Sequence, residues 1–232
     1  MMVATEKLIL AREGERSFDA YLARPESGRH IGIIFLHDMF GMNPVFFELC
    51  ERYARQGVCA LLPNQFWRCD PSGPLPHVGG HERAWKRLET FDYDACSGGL
   101  QLSIDWLRRQ PFCTGKVAAV GFCFAGRLAY LAASRTDVDG AAGLYSLGIS
   151  KHLDEVGRIK CPLQIHYGLA DTQVPQAEVD IVSAGVAGRA NIEVFTYPGA
   201  GHSFCNPIRP TYDPQAAALA ERRIDAMLAK IA

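Results

Sequence analysis

The stretch Val117-Ala118-Ala119-Val120-Gly121-Phe122-Cys123-Phe124-Ala125-Gly126-Arg127-Leu128 constrains this chain more than any other. An apolar run with β-branched residues stops at a glycine. A cysteine follows two residues later, and small residues then open an Ala- and Leu-rich stretch. The pattern predicts a strand, a sharp turn and a helix, with a thiol at the apex of the turn. Small flanking residues are needed because such a turn brings strand and helix backbones close together. The apex side chain then projects past the sheet edge, where an attacking atom must stand.

Two other readings compete for the same residues. Gly121 and Gly126 have the outer spacing of a phosphate loop. Arg127-Leu128 stands where Lys-Ser/Thr is required, however, and no G-x-G-x-x-G follows, so a nucleotide loop is rejected. A cysteine behind a buried strand is often a small core residue. The rest of the chain has to decide between that reading and a nucleophile.

The chain has 232 residues, 48% of them hydrophobic, and a formal net charge of −1. This fits one globular domain over residues 1–232 with a sizeable core. The balanced charge and the lack of a Lys/Arg run argue against nucleic acid or an anionic membrane as partner. No apolar stretch approaches the ~20 residues that span a bilayer. The first dozen residues, with Glu6 and Lys7, do not read as a signal peptide. None of the eight cysteines forms a C-x-x-C pair, so they are expected to be free thiols in a cytoplasmic protein. His77 and His81 have the spacing of helical metal ligands, but Gly79-Gly80 lies between them, and no metal is expected there. The expectation is a monomer acting on a small molecule, without a cofactor.

Leu8–Leu10 and Phe18–Ala23 read as an opening hairpin around Gly14. Short apolar runs at Ile31–Leu36, Val58–Leu62, Lys116–Val120, Gly140–Tyr145, Leu163–Tyr167 and Ile192–Tyr197 read as buried strands. Helices are predicted over Pro44–Gln56, with Asn43 as N-cap, His81–Leu88, Tyr93–Arg109, Phe124–Ser134, Gln176–Ala187 and Pro214–Ile231. Residues 64–80 are rich in Pro and Gly and read as a long loop. Strands alternating with helices give the α/β class, with a mostly parallel sheet covered by helices on both faces.

In such a sheet, ligands bind beyond the carboxyl ends of the strands. His37-Asp38 follows Leu36, Cys123 follows the elbow strand, Asp171 follows Tyr167, and Gly199-Ala200-Gly201-His202 follows Tyr197. A thiol, a carboxylate and an imidazole at three strand ends have the chain order of a hydrolase triad. Asp171 also suits a plain turn cap ahead of Val174-Pro175.

Through Asp38-Met39-Phe40-Gly41-Met42-Asn43, Thr90-Phe91-Asp92-Tyr93, Gly115-Lys116-Val117, Gly121-Phe122-Cys123, Gly168 to Pro175, and Gly199-Ala200-Gly201-His202-Ser203-Phe204, the chain resembles the dienelactone hydrolases (carboxymethylenebutenolidases) of the α/β-hydrolase superfamily. The resemblance implies that fold without a large cap domain. It implies a Cys123–His202–Asp171 triad, backbone N–H groups of Met39 and Phe124 as oxyanion donors, and a substrate pocket drawing on Phe40, His81, Arg83, Trp85, Tyr145, Ser203 and Asn206. Asp38 stands where the family's best-known members have a glutamate that holds and helps deprotonate the thiol. His81 and Asn206 stand where those members hold a substrate carboxylate with arginines, and Arg83 and Arg209 are the cations left nearby in sequence.

The expected activity is hydrolysis of activated esters or lactones through an acyl-thioester. A thiolate leaves a tetrahedral intermediate more readily than an ordinary alkoxide, so an enol ester or strained lactone goes forward where an alkyl ester falls back. The alternatives are a broad esterase or thioesterase for neutral substrates, or a non-catalytic ligand-binding relative on the same scaffold.

Overall fold

The computed structural model describes residues Met1–Ala232. The chain divides into two compact units, Met1–Val117 and Ala118–Ala232. In the first, β1 (Val3–Glu13) and β2 (Arg16–Pro25) form an antiparallel hairpin whose register shifts between Ile9 and Ala11. β2 pairs antiparallel with β4 (Cys59–Pro63), which pairs parallel with β3 (His30–Leu36). The order is β1-β2-β4-β3. β4 is buried at every residue, which is why its sequence is a continuous apolar run rather than an alternating one.

Helix α1 (Pro44–Arg55) starts where Asn43 Oδ1 accepts the Val45 N–H at 3.1 Å. Pro44, in the first turn, has no N–H to leave unsatisfied. Phe46, Cys50, Tyr53 and Ala54 recur on one face and are buried. Burying a ring such as Phe46 contributes about 1.5–3 kcal/mol. Residues 64–80 contain no helix or strand and are held by polar ties, among them Leu75 N–H to Phe40 O at 2.8 Å. Helix α2 (His81–Glu89) and helix α3 (Tyr93–Arg108) follow, the latter capped by Asp92 on the N–H groups of Asp94 and Ala95.

In the second unit, β5 (Cys113–Phe122, entering from the first), β6 (Gly140–Leu144), β7 (Leu163–Gly168) and β8 (Ile192–Tyr197) pair in parallel, in chain order. The register sets Phe122 beside Leu144, Leu144 beside His166, and Gly168 beside Tyr197. The residues that follow these strands therefore share one edge. Helices α4 (Phe124–Arg135), α5 (Gln176–Gly185) and α6 (Pro214–Ile231) connect and close the unit.

The expected strands and helices all appear. The hairpin strands run further than the apolar residues suggest, because backbone pairing continues past them. Ile149–Arg158, between β6 and β7, is 3₁₀-helical with a kink at His152 and was not expected as an element. It is tied to α4 by the buried Glu155, which accepts Arg135 Nε at 2.8 Å, Arg135 Nη2 at 2.5 Å and Ser134 Oγ at 3.1 Å. No helix of the protein is long and apolar enough to cross a membrane.

Candidate active site

The turn after β5 is as sharp as its sequence implies. Cys123 has φ 60° and ψ −127°, a conformation L-residues rarely adopt, and helix α4 begins at the next residue. Such a residue stores about 1–3 kcal/mol of strain. The small neighbours are required by space. A Cβ on Gly121 would lie 1.9 Å from Ala125 O, and one on Gly126 would lie 2.0 Å from Ser146 Oγ. The turn is secured by Cys123 N–H to Leu144 O at 3.1 Å and Gly126 N–H to Cys123 O at 3.0 Å.

The loops after β7 and β8 are laced together. Leu169 N–H donates to Tyr197 O and Ala170 N–H to Ala200 O, each at 3.0 Å. This brings Asp171 against His202, with Oδ2 2.8 Å from Nδ1. Asp171 Oδ1 accepts the N–H groups of Gln173 at 2.8 Å and Val174 at 3.1 Å. Asp171 thus caps its turn with one oxygen and meets the imidazole of His202 with the other. On the far side of the ring, His202 Nε2 is 3.2 Å from Cys123 Sγ. A carboxylate only accepts, so Nδ1 carries a proton and Nε2 is the nitrogen that faces the thiol.

All three side chains are buried. Burial disfavours the charged imidazolium of His202. Hydrogen bonds to Asp171 and Cys123, and the negative charges those groups can carry, outweigh that penalty and raise the imidazole well above its usual range. The arrangement can therefore hold a proton taken from sulfur.

Tyr145 shares this edge. It has φ 41°, its N–H donates to His166 O at 2.7 Å, and its ring meets those of His202 and Phe204 edge-on at 5.2 and 5.4 Å. Ser203 is buried, with φ 63°. Asn206 is buried and spends its carboxamide oxygen on the Ile208 N–H at 3.2 Å. The Phe124 amide lies in the first turn of α4.

In the first unit, the loop after β3 is shaped by Asp38. Its Oδ1 accepts the Phe40 N–H at 2.9 Å and its carbonyl accepts the Gly41 N–H at 3.1 Å. Phe40 packs against His77 and His81, with ring centres 4.2 and 5.0 Å away. Arg83 is exposed on α2, and Trp85 on the same helix is 43% exposed. His37 is fully buried between Asp38 O at 2.9 Å and the Gln65 N–H at 3.2 Å. Burial pushes its imidazole down to about 3, so it is a neutral structural group.

Sequence reasoning missed Arg87. Its buried guanidinium donates to Met39 O at 2.7 Å, Gly73 O at 2.8 Å and Pro71 O at 3.0 Å, and lies 3.7 Å from the centre of the Phe66 ring. Burial lowers it to about 10. The Met39–Phe40 peptide is therefore held at both ends, its C=O by Arg87 and its N–H by Asp38. No local pattern reveals this, because an arginine on an exposed-looking helix normally faces water.

Residues 18–232 match the model of the dienelactone hydrolase family. The chain is 33% identical over 224 residues to a carboxymethylenebutenolidase of Pseudomonas putida, covering 95% of each chain. It is 30% identical over 225 residues to carboxymethylenebutenolidase 1 of Cupriavidus pinatubonensis, covering 96% of this chain and 95% of that one. Among solved structures, a dienelactone hydrolase candidate from Klebsiella pneumoniae superposes with a TM-score of 0.87 at 23% identity, covering 99% of both chains. This likeness places the chain in the α/β-hydrolase fold expected from the sequence, without a large inserted cap.

Proposed function

The chain belongs to the dienelactone hydrolase family, and from that premise we propose that it hydrolyses activated carboxylic esters or lactones through a Cys123–His202–Asp171 triad. The observation that carries this reading is the unbroken run of contacts from Asp171 Oδ2 to His202 Nδ1 at 2.8 Å and from His202 Nε2 to Cys123 Sγ at 3.2 Å. A nucleophile, its base and the group that orients the base stand within reach of one another.

In this reading His202 Nε2 takes the thiol proton as sulfur bonds to the substrate carbonyl carbon. The carbonyl π pair moves onto oxygen. The oxyanion is received by the Phe124 N–H and, following the family resemblance, the Met39 N–H, each such donor contributing roughly 3 kcal/mol. The intermediate collapses, the bond to the leaving oxygen breaks, and imidazolium returns its proton to that oxygen. Water, deprotonated by His202, then attacks the thioester and frees the acid and the thiol. Asp38 adjusts the reactivity of the resting thiol.

Residues 1–232 act as one catalytic domain, in line with a family match over residues 18–232. It works as a cytoplasmic monomer, and its eight free thiols suit a reducing compartment. Phe40, His81, Arg83, Trp85, Tyr145, Ser203 and Asn206 supply the substrate pocket. His81 and Asn206 favour substrates without a free carboxylate, which makes a broad esterase or thioesterase the second reading. A ligand-binding relative without catalysis has no use for a strained thiol aligned with an oriented imidazole.

The test is hydrolysis of p-nitrophenyl acetate by wild type and Cys123→Ala, with circular dichroism to show that the fold is kept. Loss of activity in a folded variant supports the reading. Full activity in Cys123→Ala overturns it.

A further inference from the structure

The backbone that carries His202 is strained at its next residue and braced from a distance. Ser203 lies in the left-handed region at φ 63°, a conformation that favours glycine. Such strain persists only when the surroundings over-determine it. Two contacts lie on either side of Ser203. Thr211 Oγ1 donates to His202 O at 2.5 Å, and the Asp213 N–H donates to Phe204 O at 3.0 Å.

Both bracing residues sit just ahead of α6. Asp213 caps that helix through the N–H groups of Gln215 and Ala216, each at 3.0 Å. α6 is itself anchored through buried Ala216, Ala217, Ala220, Ile224, Met227 and Leu228. The chain between the two ends is a series of turns, Asn206 N–H to Ser203 O at 2.8 Å, then Arg209 to Asn206 and Tyr212 to Arg209 at 3.0 Å. Thr211 also packs over Gly201, where an added Cβ would lie 3.2 Å from its Cγ2.

We propose that Thr211 is a positioning residue for the catalytic imidazole, transferring the rigidity of the α6 N-terminus to the His202 carbonyl. The inference rests on the triad reading above. Without the hydroxyl, the strained His202–Ser203 segment can relax, and the ring loses its alignment between Asp171 and Cys123. Such a loss falls on the chemical step more than on binding, since a small misplacement of a catalytic group is costly in rate. Thr211 is exposed, so its replacement disturbs little packing.

The test compares Thr211→Val, which keeps the shape and removes the hydroxyl, with Thr211→Ser, which keeps the hydroxyl. With p-nitrophenyl acetate as probe, Thr211→Val is expected to lower kcat about tenfold with KM within about twofold. Thr211→Ser should stay within about threefold of wild type. The downfield proton NMR signal of His202 Nδ1–H should move or broaden in Thr211→Val and not in Thr211→Ser. Gly201→Ala, which crowds Thr211, should reproduce the kcat loss in smaller measure. If Thr211→Val does not fold, Thr211→Ala carries the same comparison against Thr211→Ser. An unchanged kcat in a hydroxyl-free variant, or equal losses in Thr211→Ser and Thr211→Val, overturns the proposal. Wild-type activity in His202→Ala would instead overturn the triad reading, so the two failures are told apart.

Discussion

Asp171 meets His202 Nδ1 at 2.8 Å through Oδ2, while its other oxygen is held by the amides of Gln173 and Val174. The carboxylate is thus oriented by the chain that follows it before it orients anything else. Asp171→Asn can keep the amide contacts through its Oδ1, but it then turns an NH₂ group toward His202. That favours the tautomer with the proton on Nε2, which cannot accept a proton from sulfur. Activity should fall on the order of 10³–10⁴-fold with little change in melting temperature. Asp171→Ala removes both functions and should also cost about 1–2 kcal/mol in denaturant unfolding.

The thiols should separate by reactivity. Burial pushes up Cys50 and Cys69, takes Cys59 and Cys96 to about 12, and takes Cys161 to about 11. Cys123 faces a base, His202 Nε2, at 3.2 Å. One equivalent of iodoacetamide should therefore alkylate Cys123 first and abolish activity in step with labelling. Peptide mass mapping that finds the first label elsewhere would count against this.

Asp38 permits its charge and its geometry to be separated. Asp38→Asn keeps an oxygen for the Phe40 N–H and loses the charge, whereas Asp38→Ala loses both. If the charge acts on the thiol, single-turnover acylation should slow in Asp38→Asn by about tenfold at unchanged stability. Asp38→Ala should lose about 1 kcal/mol more in stability. Unchanged acylation in Asp38→Asn would leave the residue a shaper of its turn alone.

Substrate charge gives a further prediction. A carboxylate that leaves water needs a charged partner, most effectively a bidentate arginine. Arg83 is exposed, and Asn206 spends its oxygen on Ile208. For an acid and its methyl ester carrying the same scissile bond, the neutral compound should show a kcat/KM at least as high. A large preference for the free acid would overturn this and point to Arg83, Arg209 or another cation in the pocket.

Glu155 predicts a pH dependence of stability. Its hydrogen bonds from Arg135 hold its carboxyl down, from 4.5 to about 2, against the effect of burial. A group with a depressed folded pKa stabilises fully above its unfolded value and loses that contribution as pH falls through the folded one. Glu155→Gln should therefore be less stable than wild type at pH 7, by about 2–4 kcal/mol, because it leaves Arg135 without its charge partner. The gap should narrow between pH 4.5 and about 2, read by denaturant unfolding at several pH values. A gap that stays constant across that window would contradict this.

Local features of the sequence determined the elbow, the element order and the identity of the thiol, carboxylate and imidazole. They are legible because each depends on neighbours in the chain: Gly121 and Ala125 around Cys123, Gly168 before Asp171, and Gly199 to Gly201 before His202. The parallel register then carries three strand ends to one edge, a consequence of topology that the alternation of strands and helices already implies. Tertiary structure decided the rest. It divided the two oxygens of Asp171 between a turn and an imidazole, set Arg87 against three carbonyls, held a kinked 3₁₀ segment through Glu155, and brought Thr211 back to the carbonyl of His202. Each of these is a polar contact between groups distant in sequence or hidden by burial. No periodicity records such a contact, because its partners are chosen by where the packed chain leaves an unsatisfied oxygen or charge.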